Sequence, residues 1–147
     1  MKVKVFSLIT ALFIASAAFA SDLQLETIGA SGGSNLYLTY LSIGVIADSH
    51  TKQVYDNEQA VSFVNSIVAQ AKVQKDYLDK LMKSKEVSGA DVQFLKKMMD
   101  CYTLLMDEGK YFVEYVNTGD EASLTKYDAK RQDAWKLISE LLGFDKQ

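Results

Sequence analysis

Between residues 60 and 81, apolar side chains recur at alternating four- and three-residue steps. Ala60, Val64, Ile67, Ala71, Leu78 and Leu81 hold these positions, and Gln74 fills the one polar slot. Val61, Val68 and Met82 widen the stripe. Sustained spacing of this kind is the mark of helices packed nearly parallel to one another. It recurs in a third segment, through Val92, Leu95, Met99, Tyr102, Met106, Gly109, Val113 and Val116. There Phe94, Met98, Cys101, Leu105 and Phe112 add a second contact face. A fourth segment carries a stripe through Leu124, Tyr127, Arg131, Trp135, Ile138, Leu141 and Leu142. No proline interrupts any of them, and no alternating strand pattern competes.

The stretch 36–47, LYLTYLSIGVIA, is apolar nearly all round, with only Thr39 and Ser42 breaking the run. A surface helix shows one apolar stripe, whereas a helix apolar on all sides is a buried one. The segment is too short to cross a bilayer, which takes about 20 residues. It is therefore expected to be the most buried helix, with the others packed around it. Ser34 or Asn35 is its expected cap, since a side-chain oxygen there can accept from first-turn N–H groups. Its expected end is near Gln53. Asp56 or Asn57 caps the second helix, and Ser88 with Asp91 the third, as a capping-box variant. The stretch Asn117-Thr118-Gly119-Asp120 ends the third helix. Asp120 and Glu121 open the fourth, where negative charge suits a helix N-terminus, and Gly143 stops it. The fold expected is an all-α, antiparallel, up-down-up-down four-helix bundle.

Residues 1–20 read as a cleaved signal peptide. Lys2 and Lys4 form the positive region, residues 5–18 the apolar core, and Ala18-Phe19-Ala20 the small-x-small exit site. No cysteine follows that site, which argues against a lipoprotein anchor. Residues 21–33, ending in GASGG, have the composition of a flexible N-terminal arm. Residues 34–147 form the bundle domain. The leader holds two of the 16 basic residues and none of the 19 acidic ones, so the mature chain carries a net charge of −5. An acidic balance argues against a nucleic-acid partner, which wants a basic patch. Cys101 is the sole cysteine, so an exported chain of this kind has no internal disulfide. A bacterial periplasmic or secreted protein is expected, with no membrane span after cleavage.

The anomaly in the pattern is Arg131, a cation inside an apolar stripe. A guanidinium cannot shed its proton, so a buried one needs a carboxylate or several carbonyls. Asp48 continues the Leu41–Val45 series and is the expected partner, since the end of the first helix lies level with the early part of the last. Glu58 and Glu114 are expected at the same end of the bundle, with Tyr127 and Trp135 flanking Arg131. This set could fix helix register as an ion pair or hold a small anionic ligand. His50, the sole histidine, has no second histidine for a di-iron site and no C-x-x-C-H motif for haem. No cofactor is expected, and a metal or haem carrier is the remote alternative. Cys101 and the methionines sit at core spacing and read as packing. No catalytic motif appears. The expectation is a non-enzymatic binding module for an envelope or extracellular protein partner, with an anion pocket at the Asp48/Arg131 end as the alternative.

Overall fold

The computed structural model describes residues 3–84, 87 and 89–144, leaving aside the side chains of residues 3–22 and 25. Four helices and no strand occur among the described residues: α1 (Val3–Thr51), α2 (Asn57–Lys83), α3 (Ala90–Thr118) and α4 (Glu121–Leu142). The chain divides into two units, Met1–Gly32 and Gly33–Gln147. The second is an all-α four-helix bundle, as the spacing predicts. Its α3 packs extensively on both α2 and α4.

Local chemistry explains where the helices begin and end. Asp56 caps α2 by accepting from the Gln59 N–H at 2.8 Å, and the Gln59 side chain accepts in return from the Asp56 N–H at 3.1 Å. This reciprocal box satisfies two first-turn donors at once. Asp120 caps α4, accepting from the Ala122 and Ser123 N–H groups. Gly119 and Gly143 take the left-handed conformation that ends α3 and α4. The end of α1 uses the same device with a costlier residue. Gln53 has φ 59°, its N–H bonds the His50 carbonyl, and the Val54 N–H reaches back to that of Ser49. Gly89, not Ser88, occupies the cap position of α3. Ser88 lies outside the described residues, as do Met1 and Lys2 of the expected leader.

Three expectations for the first helix are corrected. Helix continues through residues 21–33 and through the expected cap at Ser34 and Asn35. Glycine in a helix costs only about 1 kcal/mol relative to alanine, and the Thr27 and Ser31 hydroxyls bond carbonyls one turn back. Asn35 caps nothing; its Oδ1 accepts from the Tyr102 hydroxyl at 2.8 Å and so ties α1 to α3. Nor is 36–47 the most buried segment. Leu36, Ile43, Ile46 and Ala47 are buried, but Leu38 is 58% exposed and Val45 60%. The hub is α3, with nine buried residues against four each in α2 and α4, and it packs extensively on both of them.

Candidate functional site

Arg131 does face inward from α4, but its partner is Glu108 of α3, not Asp48. Arg131 Nη1 donates to Glu108 Oε1 at 2.8 Å and to the Tyr40 carbonyl at 3.2 Å. The guanidinium lies over the Tyr40 ring, 4.1 Å from its centroid. Gly44 makes room: a side chain there would collide with the guanidinium. Three helices thus close on one cation. Asp48 is exposed, because Leu41 and Val45, whose series it continues, point outward themselves. The same two helices also carry a more exposed pair, Lys130 and Asp107 at 3.4 Å.

Glu108 is fully buried, and its second oxygen, Oε2, has no hydrogen-bond partner. Burial pushes its pKa up to about 7, against the opposing pull of Arg131. Burial also opposes the charge on Arg131, but the Glu108 hydrogen bond and the surrounding groups outweigh it and raise that pKa. Burial raises the Tyr127 hydroxyl well above its ordinary value. The pair is built to keep a cation while holding a carboxyl near its point of neutrality.

A pH dependence follows. Glu108 holds its proton more tightly folded than unfolded, so unfolding releases a proton between pH 4.5 and about 7. Its contribution is complete below that window and is lost as pH rises through it. Relative to Glu108→Gln, the native chain is expected to lose about 1 kcal/mol of stability per pH unit there. Urea unfolding of both proteins across the window checks this; a constant difference would refute it.

The other expected site residues scatter. Glu58 and Glu114 are exposed on α2 and α3. His50 Nε2 lies 2.9 Å from Asn57 Oδ1, and its ring stands edge-on to Phe112. His50 and Glu58 share a shallow polar recess of about 480 Å³ where α1 turns into α2. Tyr127 is buried against Phe112. Trp135 is 40% exposed, because Ala134 takes the inner position, and it joins Tyr37, Tyr40 and Phe144 in an aromatic cluster. Arg131 and Tyr127 are therefore brought together, and exposed Asp48 lies near enough for its charge to act on Tyr127 without pairing with Arg131, while no hydrogen bond or ion pair joins Glu58 or Glu114 to them among the described residues. Arg131 Nη1 is engaged by Glu108 and by the Tyr40 carbonyl rather than by Asp48. Cys101 is buried and its thiol is pushed up to about 12. No group of three or more His, Cys, Asp and Glu able to hold a metal ion occurs among the described residues.

The feature that sequence reasoning missed lies between α1 and α2. Leu38, Leu41 and Val45 of α1 and Phe63 of α2 are all exposed, and they border an open groove of about 500 Å³. Ser42 and Ser66 are its polar points. Toward Gln74 the groove continues as a more polar recess past Asn35 and Gln70. Residues 33–47 and 59–71, which form its two walls, contain no charged residue. That absence was the available signal. Among the described residues, no helix is long and apolar enough to cross a membrane. No protein-family model, curated protein or solved structure matches the chain.

Proposed function

We propose that this chain is an exported, non-enzymatic interaction module and that the α1/α2 face is its contact surface. The leader pattern of residues 1–20 supports export. The observation that carries the rest is the groove, with Leu38, Leu41, Val45 and Phe63 exposed along it and no charge on its walls. Contiguous exposed apolar surface marks interaction sites, and depletion of charge is the compositional signature of an interface centre. Binding through such a face requires no titratable group, which matches a chain without a catalytic motif.

A photo-reactive residue at Val45, compared with one at exposed Gln132 of α4, tests the surface in living cells. The expected result is a discrete adduct from position 45 alone, abolished by Phe63→Asp, on protein whose N-terminus is Ser21. Equal labelling from both positions, or none from 45, would overturn the contact surface. A retained Met1 would overturn export.

A further inference from the structure

We infer that the partner of this face is a second copy of the chain, joined by antiparallel packing of α2 on α2 about a two-fold axis. The inference rests on the reading of the α1/α2 face as a contact surface. Its basis is a second stripe on α2, distinct from the one that faces the core. Phe63, Ser66, Gln70, Val73 and Tyr77 recur at three- and four-residue steps, and all five are exposed. Asp56 and Gln59 extend the stripe at one end and Lys80 at the other, with the same steps. This is the spacing by which one helix receives another, knobs into holes. A bundle of four helices uses the inner stripe and leaves the outer one bare.

The stripe is matched to itself in reverse. Laid antiparallel on a second copy, Ser66 meets Gln70, Phe63 meets Val73, and Gln59 meets Tyr77. At each end the acidic Asp56 meets the basic Lys80. A two-fold interface requires this kind of self-complementarity, in which each contact occurs twice. The order pairs small with large at the centre, apolar with apolar on either side, and opposite charges at the rim. Parallel packing would instead set Asp56 on Asp56 and Lys80 on Lys80. Lys80 lies over the Tyr77 ring, 4.8 Å from its centroid, so it is already held along the stripe.

Leu38, Leu41 and Val45 of α1 flank this line across the groove and would close over the second copy's α2. The resulting layer has four helices, two from each chain. From Asp56 to Lys80 the stripe is about 36 Å long at ~1.5 Å per residue, and with α1 beside it roughly 20 Å wide. That area is of the order of the ~800 Å² per partner that a stable interface buries. The net charge of −5 does not oppose the pairing at the centre of the contact, because residues 33–47 and 59–71 carry none of it and charges farther off are screened beyond ~8–10 Å.

Sedimentation equilibrium of the protein purified from the exported fraction tests the inference. At ~100 µM, above the micromolar upper end for interfaces of this size, the mass of two copies is expected. Phe63→Asp, and independently Val73→Asp, should weaken association by roughly 100-fold or more while leaving the helical circular dichroism unchanged. The register is tested by mixing Ser66→Cys with Gln70→Cys protein. A disulfide-linked dimer should form in the mixture far more readily than in either variant alone; buried Cys101 does not compete. A monomer at that concentration overturns the inference, as does a dimer indifferent to both aspartates or one joined best through position 66 to itself. These failures are separable from failure of the contact surface. A monomer that still yields a Val45 adduct of a mass other than two copies keeps the module and discards the self-association. A monomer with no adduct discards both.

Discussion

Arg131→Ala is expected to cost about 3–5 kcal/mol at pH 8, the loss typical of breaking a buried ion pair from one side. Glu108 would then be fully buried with neither oxygen partnered by the guanidinium, and the Tyr40 carbonyl would lose its donor. The loss should shrink on acidification. Near pH 5 Glu108 is neutral with or without Arg131, since burial already holds its pKa at about 7. What remains there is about 1–2 kcal/mol for the missing hydrogen bonds. Replacing both residues, Glu108→Leu with Arg131→Met, should recover most of the stability, because well-packed apolar residues commonly match or exceed a buried pair. Urea unfolding of the three variants at pH 5 and pH 8 gives the comparison. A loss from Arg131→Ala below about 1 kcal/mol at both pH values, as for a surface pair, would show that the burial of Glu108 is not felt as desolvation.

How much of this was legible depended on how sharply each segment marks its own phase. The inner stripe of α2 and the need of Arg131 for a partner could both be read, because each sets a clear contrast between polar and apolar positions. The partner itself could have been found. Phe94, Met98, Cys101, Leu105 and Phe112 step by four and three along α3, and the one position skipped is 108. A carboxylate in that gap is the natural counterpart of a guanidinium in the stripe of α4. Asp48 was the wrong choice because residues 36–47 are apolar on every side. Such a segment gives no phase, so whether Leu41 and Val45 face in or out is decided by tertiary packing: Gly44 against the Arg131 guanidinium and Gly33 against Leu142. The same ambiguity hid the groove, since an all-apolar helix reads as buried when a third of it is not. Local capping was legible at Gly143, and to within a residue or two at Asp56 or Asn57 and at residues 117–121, because one side chain or one left-handed residue settles each end. It failed at Ser34 and Asn35, where a longer helix absorbs the glycine-rich stretch.

Gly109→Val is expected to be nearly as damaging, at about 3 kcal/mol. Gly109 is the point where α1, α2 and α3 meet. A Cβ there would run into Val68 Cγ2 and lie 3.1 Å from Val64 Cγ1, with Ile43 Cδ1 4.0 Å away. Val64 is fully buried, and a valine in a helix is held almost to one rotamer, so neither side can turn aside. The helix-propensity gain on replacing glycine, about 1 kcal/mol or less, does not offset the collision. Val68→Ala in the same chain removes the colliding methyl groups and should restore part of the loss, which separates steric conflict from any effect on the unfolded state. The consequence reaches the surface. Val64 and Val68 seat the inner stripe of α2, and the outer stripe lies roughly a quarter-turn away around the same helix, on the side of the α1/α2 groove. Pushing α2 away from α3 should therefore weaken self-association as well as stability, and Val68→Ala should recover both together. A Gly109→Val chain of native stability, measured by urea unfolding, would mean that α2 and α3 do not approach this closely, and the placement of the outer stripe would fall with it.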